Sequence, residues 1–161
     1  MMEQVNVYLG LGTNEGDRDL NLIRAMNLLD QAFGTPPERI SRIMETTAWG
    51  FDGPAFLNLC ALFRLPLQGT PEEHAHWLLR QVKGVEKALG RTDAPAFAAD
   101  GKRLYHNRPI DIDILCYGTY RIETEALTIP HPRIGQRDFA KLPLMEIAKA
   151  DILGAFPEIF A

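Results

Sequence analysis

Hydrophobic and polar residues alternate along several stretches of the chain in a way that predicts β-strands. In residues 5–12, VNVYLGLG, and residues 110–118, IDIDILCYG, apolar side chains recur at every second position, the period of a strand with one buried face. In residues 56–65, FLNLCALFRL, the odd positions are all apolar, and Asn58 lies among the even ones. A weaker pattern indicates a further strand at residues 39–46.

Two helices are predicted between these strands by apolar residues that recur every three to four positions. In residues 16–33 the apolar stripe consists of Leu22, Ile23, Met26, Leu29 and Phe33. In residues 70–90, Thr70 has the features of an N-cap and Glu73 completes a capping box. Glu86 falls within the apolar stripe of this second helix, where a carboxylate needs a partner.

The segments at residues 46–55 and 91–109 are predicted to be loops, because both contain glycine and proline and lack apolar periodicity. A long segment without regular structure is unusual inside a compact domain, and such loops commonly bind ligands. The tail from residue 139 onward is expected to contain a helical turn or two and some loop.

The predicted element order is β-α-β-β-α-β, and most of the strands have two distinct faces. This combination favours a single α+β domain over residues 1–161, a ferredoxin-like βαββαβ sandwich with a mostly antiparallel sheet. Both helices are expected to cover one sheet face, which leaves the other face free to carry a site between long loops. The side chains expected to face the helices from the last strand are Ile110, Ile112, Ile114 and Cys116.

The composition is that of an ordinary folded domain with a small negative charge. Hydrophobic residues make up 46% of the chain and charged residues 24%, and the formal net charge is -4. This charge argues against nonspecific binding along nucleic acid, and no apolar run approaches the roughly 20 residues of a membrane helix. The N-terminus lacks a secretory-signal pattern, and Cys60 and Cys116 lie in apolar runs typical of buried, reduced thiols. We therefore expect a cytoplasmic monomer or weak homodimer without nucleic-acid or membrane partners.

Asp111 and Asp113 interrupt the apolar strand and project together from its other face, about 7 Å apart. Two like charges held so close repel each other unless a cation offsets them. Magnesium suits such a pair, because it accepts one or two carboxylates and leaves its other positions to water and phosphate oxygens. Arg108, next to the pair, suits bidentate contact with phosphate. The segment therefore indicates a nucleotide-using phosphoryl transferase; the alternative is an amphipathic strand whose polar face meets water.

Other residues extend this hypothesis. Asn58 shares the face of the two aspartates, and a half-buried amide needs partners that a flat heterocycle with amide-like edges could supply. His131, Arg133 and Arg137 are further candidates for phosphate contacts. The chain has no P-loop, and GLGTNEG lacks the spacing and the parallel sheet of a dinucleotide-binding loop.

Four segments together resemble one family, the 6-hydroxymethyl-7,8-dihydropterin pyrophosphokinases. The segments are YLGLGTNEGDR at residues 8–18, FLNLCALF at 56–63, RPIDIDIL at 108–115 and LTIPHPRIGQRDF at 127–139. The Arg-x-x-Asp-x-Asp signature is specific, and the likeness covers most of the chain in the right order. The resemblance implies a ferredoxin-like fold and transfer of pyrophosphate from ATP to the hydroxymethyl group of 6-hydroxymethyl-7,8-dihydropterin, with release of AMP, in tetrahydrofolate biosynthesis.

The resemblance also implies a role for individual residues. Asp111 and Asp113 would bind two magnesium ions, and Arg91 and Arg108 would act with them in catalysis. The residues that would bind the pterin are Gly12, Thr46, Thr47, Trp49, Phe56, Asn58, Asp111 and Phe139. The residues that would bind ATP are Glu86, Arg91, Tyr105, Arg108, Ile114, Thr128, His131 and Arg137. The two predicted loops would close over bound ATP and exclude water.

Two other functions remain open from the residues alone. The first is another magnesium-dependent enzyme, such as a nucleotidyl transferase or a phosphatase, on the same kind of sheet. The second is a nucleic-acid-binding module, since sheets of this type often present aromatic side chains to bases. The acidic balance and the paired carboxylates argue against the second.

Overall fold

Five strands form the main sheet of the protein, which a computed structural model describes for residues 3–47, 53–90 and 109–160, with the backbone alone at residues 96–97 and 103–104. In chain order the strands are β1 (Gln4–Thr13), β2 (Arg39–Ile40), β3 (Met44–Thr46), β4 (Phe56–Pro66), β5 (Ala96–Phe97), β6 (Arg103–Leu104), β7 (Asp111–Tyr117), β8 (Ile122–Glu123) and β9 (Thr128–Ile129). The helices are α1 (Arg18–Phe33), α2 (Pro71–Ala88), α3 (Asp138–Ile147), α4 (Ala150–Ala155) and α5 (Pro157–Phe160), and a 3-10 turn spans Ile134–Gln136.

The main sheet is antiparallel at every pair of neighbouring strands. Its strand order is β2-β4-β1-β7, and β3 pairs with β4 beside β2. The predicted strand at residues 39–46 is therefore two short pieces along one edge. Two small ribbons, β5 with β6 and β8 with β9, lie outside this sheet. The α+β class and the mostly antiparallel sheet are confirmed.

The first two helices begin where the sequence predicts. The side chain of Asp17 accepts a hydrogen bond from the backbone of Leu20 at the start of α1, and Thr70 and Glu73 form the predicted capping box of α2. The predicted stripe of α1 is wrong at Ile23, which is 57% exposed. Ile23 lies 100° around the helix from Leu22, so Ala25 completes the buried face instead. None of the helices in the described residues has the length and apolarity needed to cross a membrane.

Helices α1 and α2 cover one face of the main sheet. The apolar side chains at the odd positions of β1 and β4 pack beneath them, as do those of Ile110, Ile112 and Ile114. The period-two pattern of these strands therefore predicted this core correctly.

The opposite face is not left free, and the prediction that helices cover one face alone is wrong. Helices α3, α4 and α5 pack on it and bury a second apolar cluster, so the tail holds far more helix than predicted. The sheet contributes Tyr8, Cys60, Leu62, Leu115 and Cys116 to this cluster, and the tail contributes Leu144, Ile147, Ile152, Phe156 and Ile159. These large apolar side chains on the second face require a cover, because leaving them in water is unfavourable.

Cys116 belongs to this second cluster, which corrects the prediction that it faces α1 and α2. Tyr8 pairs with Cys116 and Leu9 pairs with Ile114, so Leu115 is an extra residue in β7. This bulge reverses the alternation, and Tyr117 returns to the first core. Cys60 and Cys116 are buried free cysteines, as predicted, and burial raises the pKa of the Cys116 thiol to about 12.

Candidate active site

The register of the main sheet brings predicted site residues from three strands into one row. Gly12 in β1 pairs with Asn58 of β4 on one side and with Asp111 of β7 on the other. Gly10 pairs with Asp113 one step further along. Residues that are far apart in the chain are therefore neighbours at one end of the sheet.

Asn58 is 3% exposed, and its amide is held in a fixed orientation. Its Nδ2 donates to Thr46 Oγ1 at 2.8 Å and to the Met44 carbonyl at 3.3 Å, both in the edge strand β3. Gly12 allows this amide to pack against the backbone of β1, because a Cβ on Gly12 would lie 3.1 Å from Asn58 Oδ1 and 3.5 Å from Phe56 Cδ1. The oxygen of the amide and the ring of Phe56 thus border the bare backbone of β1.

Asp111 and Asp113 are half-buried, and the isoleucines that alternate with them lie in the core beneath α1 and α2. The two carboxylates therefore share the opposite face, as the alternation predicts. The described part of the chain contains no group of three or more His, Cys, Asp or Glu side chains that could hold a metal ion. Two carboxylates suit magnesium, which binds through one or two carboxylates and takes water and phosphate oxygens as further ligands.

The segment after β9 approaches the aspartates from the outer edge of β7. The backbone N–H of His131 donates to the Leu115 carbonyl at 2.9 Å. Burial lowers the pKa of His131, the charge of Arg137 lowers it further, and the charge of Asp111 opposes both. The His131 imidazole therefore lies within electrostatic reach of both the Arg137 guanidinium and the Asp111 carboxylate. Arg137 also lies over the ring of Phe139, with 5.6 Å from its Cζ to the ring centroid.

Glu86 and Ile114 are enclosed by the protein. Glu86 is 2% exposed, and its Oε2 accepts the backbone N–H of Ile112 at 2.9 Å, which supplies the partner that its place on the apolar stripe requires. Ile114 lies in the core beneath α1 and α2. Their predicted contacts with ATP stay predictions.

Thr128 and His131 line a cavity of about 650 Å³ on the outer side of this segment. The cavity is also lined by residues of β8 and α5 and by Arg121, which precedes β8 and forms an ion pair with Glu158 of α5 at 2.6 Å. Nothing in the sequence pattern placed these two residues near the site, because the packing of the tail was not predicted.

Arg18 is a third residue that the sequence reasoning missed. Its Nη1 donates to Glu45 Oε2 at 2.9 Å and to the Ala55 carbonyl at 2.8 Å. Arg18 thereby links the two ends of the predicted loop at residues 46–55.

Several predicted site residues lie outside the described part of the chain, namely Trp49, Arg91, Tyr105 and Arg108. Thr47 is described and exposed. Closure of the two predicted loops also stays a prediction, because the described residues include their ends and the ribbon of β5 and β6 alone.

Paired carboxylates next to a histidine and an arginine on an α+β sheet are the groups that a phosphoryl-transfer site needs. Comparison with known proteins identifies a family within this class. Residues 8–149 match the family 7,8-dihydro-6-hydroxymethylpterin-pyrophosphokinase (HPPK). The chain belongs to this family, which confirms the resemblance seen in the sequence.

Three relatives illustrate the match. A 2-amino-4-hydroxy-6-hydroxymethyldihydropteridine pyrophosphokinase of Porphyromonas gingivalis is 38% identical over 144 residues, which cover 88% of this chain and 90% of the relative. The protein of the same name from Aquifex aeolicus is 39% identical over 142 residues, with 88% and 79% covered. The folate synthesis bifunctional protein of Pisum sativum is 37% identical over 142 residues, which cover 88% of this chain but 25% of that protein.

Proposed function

We propose that the chain transfers pyrophosphate from ATP to the hydroxymethyl group of 6-hydroxymethyl-7,8-dihydropterin and releases AMP, a step of tetrahydrofolate biosynthesis. As a member of the HPPK family it is a pyrophosphokinase, and relatives at 38% and 39% identity carry that name. The observation that carries the substrate assignment is the row of Asn58, Gly12 and Asp111 across three strands. In this row an amide that could bind a heterocycle lies on β4 and a carboxylate that could serve phosphate chemistry lies on β7, with Gly12 of β1 between them.

The pterin end of the site is defined by hydrogen bonding and stacking. Asn58 Nδ2 donates to two groups of β3, so the remaining group of the amide is the oxygen Oδ1. We propose that Oδ1 accepts a hydrogen bond from an N–H of the pterin. Phe56 and Phe139 are both half-buried, so each has ring surface available to a flat ligand. We propose that they sandwich the pterin, with Gly12 letting the Asn58 amide and the Phe56 ring lie close to the backbone of β1.

The phosphate end of the site contains the charged side chain of Arg137 and the ring of His131, whose N–H has a fixed orientation. The backbone N–H of Arg133 donates to His131 Nδ1 at 3.3 Å, so the neutral ring carries its proton on Nε2. The lowered pKa of His131 favours the neutral ring, whose Nε2–H can donate to a phosphate oxygen. Arg137 adds a guanidinium, the group best suited to phosphate.

We propose that Asp111 and Asp113 hold two magnesium ions, which would neutralise the developing charge on the phosphates. The hydroxymethyl oxygen then forms a bond to the β-phosphorus in line with the bond that breaks, the one to the oxygen bridging to the α-phosphorus. AMP leaves with that bridging oxygen, and the hydroxyl proton passes to solvent. The contribution of the chain is to hold both substrates in this geometry, since positioning and charge stabilisation dominate such reactions.

The finer structural and cellular predictions belong to the same proposal. The strand order β2-β4-β1-β7 with antiparallel neighbours supports a ferredoxin-like βαββαβ fold. The buried free thiols support a reducing, cytoplasmic setting. We propose a monomer or weak homodimer that binds neither nucleic acid nor membrane.

The test is calorimetric titration of a nonhydrolysable ATP analogue with and without magnesium, followed by titration of the pterin. We expect magnesium-dependent nucleotide binding, and pterin binding that Asn58→Ala weakens. Product analysis with ATP then separates the alternatives. AMP together with the pterin diphosphate supports the proposal, whereas ADP or free phosphate as the product identifies a different enzyme and refutes it.

A further inference from the structure

We infer that Glu86 is a positioning residue for Asp111 and Asp113, and that it acts through the backbone N–H of Ile112. The inference rests on the proposed function of the two aspartates as the metal-binding pair. It differs from the expectation that Glu86 touches ATP, because the contact it assigns is to the protein backbone.

The need for such a residue follows from the place of β7 in the sheet. In the described part of the chain, β7 is at one end of the strand order, and the main sheet pairs it on its β1 side alone. Backbone groups on an outer edge need other partners when they are buried. The Ile112 N–H points outward and is bound by Glu86 at 2.9 Å, and the Leu115 carbonyl is bound by His131 N–H at 2.9 Å. Groups from α2 and from the segment after β9 thus replace a missing neighbouring strand.

Glu86 is well placed to hold this backbone rigidly. It lies one helical turn after Val82 on the buried face of α2, a helix of 18 residues with a complete capping box. Its side chain is 2% exposed, so water competes little for the oxygen that accepts the Ile112 N–H. Lys83 Nζ lies 3.6 Å from the second oxygen, Oε1. A hydrogen bond from an N–H to an ionised carboxylate is also stronger than one to a neutral acceptor.

The consequence concerns the distance between the two aspartates. Ile112 lies between them, and its side chain enters the core while theirs project from the opposite face. If the Ile112 peptide rotated, the pleat of the strand would change and the two carboxylates would move relative to each other. Glu86 therefore fixes the spacing of the pair from the far side of the strand, as a supporting residue behind a site must.

The experiment compares Glu86→Ala with Glu86→Gln, whose amide oxygen can still accept the Ile112 N–H. Glu72→Ala is the matched control, since it removes an exposed carboxylate from the first turn of the same helix. The first readout is amide hydrogen exchange in the ligand-free protein, with the amide of Leu11 in the central strand as the reference for global opening. We expect the Ile112 amide to exchange at least about tenfold faster in Glu86→Ala, relative to Leu11, and near the wild-type rate in the other two variants.

The second readout is the affinity for magnesium and a nonhydrolysable ATP analogue. We expect Glu86→Ala to weaken it about tenfold or more, and Glu86→Gln to stay within about threefold of wild type, which corresponds to less than about 1 kcal/mol. The inference is overturned if Ile112 exchanges at the wild-type rate in Glu86→Ala. It is also overturned if Glu86→Gln keeps slow exchange but binds nucleotide as weakly as Glu86→Ala, since the charge itself would then contact the ligand. If the wild-type protein binds no nucleotide with magnesium, the proposed function fails, while the exchange result still decides whether Glu86 holds the strand.

Discussion

Gly12→Ala tests the geometry of the pterin end of the site. The added Cβ would lie 3.1 Å from Asn58 Oδ1, closer than nearly all Cβ contacts in proteins, and 3.5 Å from Phe56 Cδ1, an ordinary contact. Asn58 must then move by a few tenths of an ångström, although it is held at 2.8 Å to Thr46 Oγ1. The substitution therefore perturbs the amide and hardly touches the ring.

The size of the effect follows from one displaced hydrogen-bonding group. Weakening one such bond costs about 1 kcal/mol, or about fivefold in affinity, and intrusion of the methyl into the ligand space would add to this. We expect pterin to bind about 5- to 20-fold more weakly, measured calorimetrically in the presence of the ATP analogue, with nucleotide affinity unchanged. Stability should fall by about 1–2 kcal/mol, since overpacking outweighs the gain from replacing glycine.

Gly10→Ala is the matched control on the same strand. Its Cβ would lie 3.2 Å from Leu115 Cδ1, a similar degree of crowding against an apolar side chain instead of the amide. We expect a comparable loss of stability in urea denaturation and a much smaller loss of pterin affinity. Wild-type pterin affinity in Gly12→Ala, or an equal loss in both variants, would refute the assignment of the space above Gly12 to the pterin.

Three further predictions address the metal pair, the pH dependence and the second core. Asp113→Ala should abolish turnover in the AMP-release assay while the circular dichroism and melting temperature stay near wild type; normal activity would overturn the metal assignment. Burial lowers the pKa of His74, so the unfolded chain binds more protons than the folded one just below the ordinary pKa of about 6.5, and stability falls as pH drops through this window. His74→Gln should therefore lose less stability than wild type between pH 7.5 and 5.5 in urea titrations, and an unchanged loss would contradict the argument. Tyr8→Phe removes hydrogen bonds to Asp151 at 3.3 Å and from the Lys149 N–H at 3.1 Å, so unfolding should become about 1–2 kcal/mol easier, and a neutral substitution would show that α4 docks by apolar contact alone.

The sequence was sufficient for the elements whose residues satisfy local rules. The capping box at Thr70 and the alternation in β4 depend on neighbours within a few residues, and both are confirmed. The row of Asn58, Gly12 and Asp111 could also be anticipated in part, because all three were assigned to one site by the resemblance. The register that aligns them is a property of three strands together, and it became visible in the folded chain.

The failures at Cys116 and in the tail share a physical cause, which is packing between elements distant in the chain, whereas the failure at Ile23 is local to α1. Cys116 was assigned to the wrong face because strict alternation has no means of locating the extra residue at Leu115. The prediction for Ile23 counts its apolar side chain, but its position on the helix, 100° from Leu22, points it to solvent. The sequence predicts only turns and loop in the tail, because the pattern of the tail alone does not reveal its partner. Its apolar residues form helices that cover the second face of the sheet.

The same sheet face serves as a core at one end and as a site at the other, and β1 explains how. Its side chains on this face become smaller along the strand, from Tyr8 to Gly10 to Gly12. Tyr8 lies in the second apolar cluster and binds α4 through its hydroxyl. At Gly10 the missing side chain is replaced by Leu115, which closes the cluster. At Gly12 the neighbouring groups are Asn58 Oδ1 and the ring of Phe56, and Asp111 lies on the other side of the same residue in the sheet. The loss of side chains along β1 thus changes the groups that meet on this face from the apolar residues of the second cluster to an amide, an aromatic ring and a carboxylate.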